Sequence, residues 1–362
     1  MDKESIPTTT SDYYQVYETY DFGASGAQPC KFDSVMEFNQ KFIPPVYSLV
    51  FVFGIMGNTL VLLILSRYRH SWAVADTYLL HLTVADLLLV FTLPFWAVQY
   101  VHGWIFGNIS CKIVGAMFII NLYSSILFLA CISFDRYLSI VHAVQMYRKS
   151  KTICVRITCI VIWIICILFS LVEFYFRESG YFHDVKADIC HYAFDAESAD
   201  TWRSTLRLVN LVVLFFLPLT VMIYCYSMIC RSLHQAHLFE RHKSLKVIVS
   251  VIAVFLICWA PYNAFYFVDS LQRMKLIERD CKMEHILDTG ITITESLGFI
   301  HCCLNPIIYM FVGTKFRREI TKLFKCGRHR KASSTSSQDN CRPKALSLVS
   351  DEENTGLYSV MF

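Results

Sequence analysis

Residues 130–143 read ACISFDRYLSIVHA, in which Asp135, Arg136 and Tyr137 end a long apolar run. Burying an ionisable group in or beside a segment apolar enough to cross a membrane costs free energy, so such groups are usually paired or functional. The triplet therefore favours a signal transducer. The alternative is an ordinary helix end that faces water, with the arginine extended along the apolar surface toward solvent.

The composition indicates an integral membrane protein. The 362 residues are 55% hydrophobic and 17% charged, which is far from soluble averages. Seven apolar segments are near or above the roughly 20 residues that cross a bilayer as a helix. They lie at about 42–66, 77–98, 113–134, 153–176, 206–230, 245–268 and 286–312. We predict an all-α membrane protein whose residues 42–312 form a seven-transmembrane helix bundle.

Charge gives the expected orientation, because short cytoplasmic loops carry an excess of lysine and arginine. Residues 1–41 carry seven acids against three lysines and should lie outside the cell, where a basic partner suits them. The start of the chain lacks a basic region followed by an apolar one, so we expect no cleavable signal peptide. The opposite, cytosolic set is basic at Arg67, Arg69, Arg148, Lys149, Lys151, Arg231, Arg241, Lys243, Lys246, Lys315, Arg317, Arg318, Lys322 and Lys325.

Segments outside the bundle are predicted from their polarity. Residues 1–41 should form a mostly disordered acidic, tyrosine-rich arm. Residues 313–326 would place apolar side chains on one face of a helix and basic side chains on the other. This pattern predicts a short amphipathic eighth helix on the inner leaflet. Cys326 follows it in a position suited to palmitoylation. Residues 327–362 should be a disordered cytosolic tail with serines and threonines open to phosphorylation.

Four of the 15 cysteines are expected on the oxidising side of the membrane: Cys30, Cys111, Cys190 and Cys281. Four cysteines allow three connectivities, which the spacing does not distinguish. Two disulfide bonds are expected. Asn108 begins the one N-glycosylation sequon on that side and is a candidate glycosylation site.

Asp86, in HLTVADLLLV, is the deepest charge of the second segment. A carboxylate there must be protonated, paired or bound to a cation. Asn58, Asn121, Ser125 and Asn305 lie at compatible depths, so an allosteric sodium ion at Asp86, Asn121 and Ser125 is one hypothesis. A structural hydrogen-bond network is the other. Nearer the outer face, Trp96, Glu173, Asp269 and Glu295 predict an anionic cup for a cationic segment inserted from outside.

These residues resemble the rhodopsin-like (class A) seven-helix receptors across nearly the whole chain. The resemblance rests on Gly57-Asn58, LTVAD at 82–86, Asp135-Arg136-Tyr137, Trp163, Pro218 with Tyr226, FLICWAP at 255–261, and Asn305-Pro306 with Tyr309. Within that class the chain is similar to chemokine receptors, and to their CXC branch. The marks are TLP at 92–94 with Trp96, DRYLSIVHA at 135–143, CWAPYN at 258–263 and FIHCCLNP at 299–306. The run at 120–143 is most like the subgroup for interferon-induced ligands; the lymphoid-homing subgroup is the alternative.

The resemblance implies disulfides Cys111–Cys190 and Cys30–Cys281 and a basic CXC chemokine as ligand. It implies tyrosine sulfation of the arm and insertion of the chemokine N-terminus at the cup, with Phe118 on the third helix. The implied partners are an inhibitory heterotrimeric G protein at Asp135, Arg136 and Tyr137, receptor kinases and arrestin at the tail, and membrane lipid. The implied sulfation sites are Tyr13, Tyr14, Tyr17 and Tyr20, and the implied switch residues are Trp259, Tyr226, Asn305, Pro306 and Tyr309.

Other functions fit less well. A non-signalling chemokine scavenger needs the outer surface but not an intact Asp135-Arg136-Tyr137. A retinal pump needs a lysine in 286–312, where none occurs. No zinc-protease, phosphate-loop or nucleophile-elbow motif suggests an enzyme, and we expect no resident cofactor, no catalytic metal and no nucleic-acid partner.

Overall fold

The computed structural model describes residues 33–67, 69, 72–142, 148–182, 186–195, 197–235, 242–278, 280–312, 317–318 and 320–321. Within these ranges seven helices are long and apolar enough to cross a membrane, which confirms the predicted bundle. They are α1 (Asp33–Arg67), α2 (Val74–His102), α3 (Gly107–Ile140), α4 (Arg148–Phe176), α5, α6 (His242–Arg273) and α7 (Cys281–Val312). Helix α5 comprises Ala199–Asn210, a π-helical segment Leu211–Phe216 and Leu217–Gln235.

The helices close into a ring around α3. Helix α1 packs on α2, α2 on α3, and α3 on both α4 and α5, while α7 packs on α6 and returns to α1. Gly57 permits the last contact, because a Cβ atom there would lie 3.0 Å from Pro306 Cβ. Large apolar side chains also cover the outside, such as Phe53 (59% exposed) and Ile257 (65% exposed). Such a surface suits lipid.

Helix α1 begins at Asp33, ahead of the apolar segment predicted from residue 42. Residues 33–41, predicted as part of the arm, are therefore helical. The extension is polar because it needs apolar side chains only where it meets lipid. Ser34 Oγ lies 3.3 Å from His285 Nδ1 of α7 and ties the extension to the bundle.

The π-helical segment of α5 lies just before Pro218. Proline lacks an N–H group, and its ring clashes with the carbonyl group four residues earlier. A π-helical turn relieves this because its hydrogen bonds reach five residues back. Accordingly, the Leu217 N–H group donates to the Val212 carbonyl oxygen. The α-helical pattern of α5 is thus interrupted before Pro218 by a π-helical turn.

An antiparallel hairpin, β1 (Arg177–Phe182) and β2 (Ala187–Tyr192), joins α4 to α5. Its register places Ser179 opposite Cys190, and Cys190 is disulfide-bonded to Cys111 near the start of α3. We call this the hairpin end of the bundle and the opposite end, where α3 finishes, the Arg136 end. Residues 317–318 and 320–321 are helical; the rest of the expected eighth helix lies outside the described residues.

Candidate functional site: a cavity at the hairpin end

A cavity of about 250 Å³ opens between the helices at the hairpin end. Three of the predicted ligand residues line it, namely Phe118 of α3, Glu173 of α4 and Glu295 of α7. Its floor is aromatic, with Phe255 and Trp259 of α6. The remaining polar lining residues are Tyr123, Arg177, Tyr192, Arg203, Arg207, Asn210, Tyr262, Asn263 and Tyr266.

Glu173 is held by the hairpin. Arg177 Nε donates to Glu173 Oε2 at 2.7 Å, and the Tyr192 hydroxyl donates to the other carboxylate oxygen. Arg177 and Tyr192 are paired across the strands, and the guanidinium carbon lies 4.4 Å from the centroid of the Tyr192 ring. Burial is the main cause that raises the pKa of Tyr192 well above its ordinary value, so the phenol remains a neutral donor at physiological pH.

Asp269 joins α6 to α5. It forms ion pairs with Arg207 of α5 and with Arg273 of its own helix, whose Nε lies 2.8 Å from Oδ2. Arg273 also reaches Asp200 of α5 at 3.0 Å. The carboxylate is therefore part of a network that couples two helices at the hairpin end.

Glu295 differs from the other two acids. Among the described residues it forms no ion pair within 4.0 Å, and it is only partly buried on the cavity wall. An incoming cation therefore meets in Glu295 a carboxyl group that no ion pair within 4.0 Å holds among the described residues.

The predicted anionic cup needs a correction in its charge. The acids were apparent from the sequence, but the arginines that the fold brings to them were not: Arg177, Arg203 and Arg207 line the same cavity. Trp96 and Asp269 are not among the lining residues. Trp96 lies beneath Arg177, with 5.2 Å between the guanidinium carbon and its ring centroid. The cavity is therefore mixed in charge, with aromatic walls.

The hairpin is positioned covalently and by backbone contacts. Cys190 is bonded to Cys111, with 5.5 Å between the Cα atoms, and the Cys190 N–H group donates to Gln99 Oε1 at 2.8 Å. Cys281 is also disulfide-bonded, and its expected partner Cys30 lies outside the described residues. The same holds for Tyr13, Tyr14, Tyr17, Tyr20 and Cys326. Asn108 is exposed, and its side-chain oxygen accepts from the Ser179 N–H group at 3.1 Å.

Rings connect the cavity floor to the centre of the bundle. Phe255 contacts Trp259 at 6.5 Å between centroids and His301 of α7 at 5.6 Å. Trp259 can approach α7 because Gly298 has no side chain; a Cβ atom there would lie 2.9 Å from the indole ring. A chain of ring contacts thus runs from the cavity to His301, which precedes Cys302 and lies near Asp86.

Asp86 is fully buried and accepts hydrogen bonds from three side chains on two other helices. Asn305 Nδ2 of α7 donates to Oδ2 at 3.0 Å. Asn121 Nδ2 and Ser125 Oγ of α3 donate to Oδ1 at 3.3 and 3.4 Å. The structure brings together the residues predicted for a sodium ion, and the same contacts form the alternative hydrogen-bond network.

At the other end of α3, Arg136 and Asp135 form an ion pair of 3.3 Å. Both residues are buried, at 6% and 7% exposed, which contradicts the alternative of a helix end facing water. Nearby, the Tyr226 hydroxyl donates to Ser133 Oγ at 3.3 Å, and Tyr309 of α7 is buried. Tyr137 bonds His142 at 2.8 Å.

Comparison with known proteins identifies a family, and similar proteins include C-X-C chemokine receptors of types 3 and 2. The profile of the family described as "7 transmembrane receptor (rhodopsin family)" matches residues 57–309. The chain is 42% identical over 318 residues to C-X-C chemokine receptor type 3 of Bos taurus, covering 86% of each chain. It is 41% identical over 311 residues to the type 3 receptor of Homo sapiens, covering 84% of this chain and 83% of the relative. It is 38% identical over 331 residues to C-X-C chemokine receptor type 2 of Homo sapiens, covering 91% and 90%.

Proposed function

Because the chain belongs to the rhodopsin family of seven-transmembrane receptors, and within it to the CXC chemokine receptors, we propose that it binds basic CXC chemokines and signals inward. The route is an inhibitory heterotrimeric G protein, leading to calcium release and leukocyte chemotaxis. It is a plasma-membrane receptor and not an enzyme. The observation that carries the proposal is identity near 40% over more than four fifths of both chains, together with a charged cavity at one end and a buried ion pair at the other.

The ligand is recognised in two places. The acidic arm, with sulfate on Tyr13, Tyr14, Tyr17 and Tyr20, attracts the basic body of the chemokine, and Cys30 tethers the arm to Cys281. The chemokine N-terminus then enters the cavity. Glu295 supplies the counter-charge for its cationic groups, while Glu173 and Asp269 act through the arginines they hold. Phe118 and the neighbouring rings provide the apolar wall, with Trp96 beneath Arg177.

Transmission follows the ring contacts. Ligand binding favours an arrangement in which α6 and α7 pivot near Trp259 and Pro306, and Asp86 and Asn305 link α2, α3 and α7 during that movement. At the Arg136 end, Arg136 leaves Asp135 and meets the G protein, with Tyr137, Tyr226 and Tyr309 completing the surface. A sodium ion at Asp86, Asn121 and Ser125 favours the paired arrangement.

The remaining parts take the expected topology. The N-terminus is extracellular, the C-terminus cytosolic, and Asn108 carries the glycan. Residues 313–326 lie on the inner leaflet with Cys326 palmitoylated, and receptor kinases and arrestin act on residues 327–362. Among CXC subtypes we favour ligands of the type-three class, with the lymphoid-homing class as the alternative.

The test is a panel of CXC and CC chemokines applied to cells that express the chain, with inhibitory G-protein activation and calcium as readouts. We expect responses to CXC ligands that a toxin inactivating inhibitory G proteins abolishes. Blocking tyrosine sulfation should lower potency without changing the maximal response. Responses confined to CC ligands would overturn the branch, and uptake of chemokine without any G-protein response would favour a scavenger.

A further inference from the structure

Three chemically different ligand groups converge in the centre of the bundle. Asp86 of α2 and the consecutive residues His301 and Cys302 of α7 each offer one ligand atom, and these atoms lie within 4.8 Å of one another. All three residues are at most 1% exposed. A site built from them would join α2 to α7.

Two neighbouring polar atoms are unsatisfied. In the part of the chain that the structure describes, His301 Nε2 and Asn305 Oδ1 are buried without a hydrogen-bond partner. The Asn305 amide lies beside the group, since its nitrogen donates to Asp86 at 3.0 Å. A buried polar atom without a hydrogen-bond partner raises the free energy of the folded state. A bound ligand that contacts these two atoms would remove that penalty.

We propose that Asp86, His301 and Cys302 form a binding site for a thiophilic divalent cation, with Zn²⁺ as the best fit. Carboxylate oxygen, imidazole nitrogen and thiolate sulfur are the donors that zinc takes, whereas a sodium ion has no preference for nitrogen or sulfur. The site is thus distinct from the oxygen set of Asp86, Asn121 and Ser125. Since both need Asp86, zinc and sodium exclude each other.

Charge and geometry favour this assignment. On binding, the Cys302 thiol gives its proton to solvent; the thiolate and the Asp86 carboxylate then balance the two positive charges, with His301 neutral. Tetrahedral zinc places its ligand atoms about 3.5 Å apart, so modest side-chain rotations close the group. Asn121 and Ser125, which already donate to Asp86, orient the carboxylate, and the Asn305 oxygen suits a water at the fourth position.

The test uses the purified full-length chain in detergent and sodium-free buffer, after exposed thiols such as Cys154 and Cys230 have been alkylated. Zn²⁺ is titrated and thermal unfolding is followed. We expect zinc to raise the midpoint by mass action and added sodium to shift the titration to higher zinc. His301→Gln and Cys302→Ser should each weaken the apparent zinc affinity by about 100-fold or more.

Cys303→Ser is the matched control, because the Cys303 thiol instead lies 3.4 Å from the Val50 carbonyl oxygen; it should keep the zinc response. Co²⁺ bound to the parent chain provides a readout that does not depend on how the variants fold. Its spectrum should contain a thiolate-to-cobalt charge-transfer band that zinc and sodium both remove. Either a parent chain without that band, or an unchanged zinc response in both ligand variants, would overturn the proposal.

Discussion

Arg136 Nη2 lies 3.3 Å from Asp135 Oδ2, and both side chains are more than nine-tenths buried. Breaking a buried ion pair by removing one partner is strongly unfavourable because the other charge is left uncompensated. The pair therefore holds the Arg136 side chain against its own helix α3, and a substitute contact is needed to release it. On this basis we propose that Arg136 is the inward-facing switch.

Asp135→Asn should raise signalling without ligand. The amide keeps the size of the side chain but removes the charge that holds Arg136, so the free arrangement becomes more populated. The measurement is basal nucleotide exchange on an inhibitory G protein at matched receptor abundance. Basal exchange equal to that of the parent would contradict the role of the pair.

Arg136→Ala should retain chemokine binding and abolish G-protein activation, because the cavity at the hairpin end does not include this residue. Arg231→Ala, an exposed arginine of α5 at the same end, is the control and should signal normally. Calcium and cAMP responses are compared at equal surface expression. Preserved responses in the Arg136 variant would contradict the proposed role of Arg136 in G-protein activation.

Glu295→Gln should reduce chemokine potency by about 10-fold or more, which corresponds to about 1.4 kcal/mol of lost charge pairing with the ligand. Thermal stability should stay near that of the parent, because among the described residues no ion pair depends on this carboxylate. Dose–response curves and thermal unfolding are measured on the same preparation. A large loss of stability with unchanged potency would mean that Glu295 stabilises the fold and does not bind the ligand.

Asp269→Asn should behave in the opposite way, since it leaves Arg207 and Arg273 without the carboxylate they share. We expect a loss of stability of about 1–3 kcal/mol, measured as a lower unfolding midpoint. Any loss of chemokine potency in the Asp269→Asn variant should disappear under conditions that restore its folding. Unaltered stability would show that these ion pairs between α5 and α6 do not stabilise the fold.

Cys190→Ser should release the hairpin from α3 and displace Arg177 and Tyr192 from Glu173. Loss of a native disulfide typically costs about 2–5 kcal/mol, so both surface expression and chemokine binding should fall. Cys225→Ser, a buried free cysteine, is the control for losing a thiol alone. Normal binding by the Cys190 variant would mean that the hairpin is held by its other contacts.

Asp86→Asn should abolish any dependence of ligand affinity on sodium, because the amide no longer supplies the negative charge. Affinity is measured by competition binding at several sodium concentrations, with potassium keeping the ionic strength constant. Equal sodium dependence in parent and variant would favour the hydrogen-bond network over the sodium site.

The fold was predictable because a bilayer imposes a simple length requirement on apolar segments. Helix ends were less predictable: α1 starts at Asp33 because polar residues outside the lipid can continue a helix without an apolar signal. The π-helical turn of α5 was also not visible, since Pro218 specifies only that the regular hydrogen bond is lost.

Two of the three predicted acids, Glu173 and Glu295, line the cavity, but the charge balance of the cavity was not predictable. Glu173, Asp269 and Glu295 are recognisable because carboxylates in or near spans are rare. Their arginines lie at helix ends and on the hairpin, where an arginine is unremarkable in sequence. Arg177 follows Glu173 by four residues and Arg273 follows Asp269 by four. Only the contact of α5 with α6 brings Arg207 to Asp269. His301 is similarly inconspicuous in the sequence, since only the fold places its Nε2, which has no hydrogen-bond partner among the described residues, beside Asp86.

We expect this chain alone to convert chemokine binding at the hairpin end into G-protein activation at the Arg136 end. The most direct measurement is guanine-nucleotide exchange on a purified inhibitory G protein, reconstituted in lipid with the purified receptor and the CXC chemokines of the panel. We predict that at least one CXC chemokine accelerates exchange in the parent receptor and not in Arg136→Ala. Chemokine that binds the folded parent receptor without accelerating exchange would contradict the account.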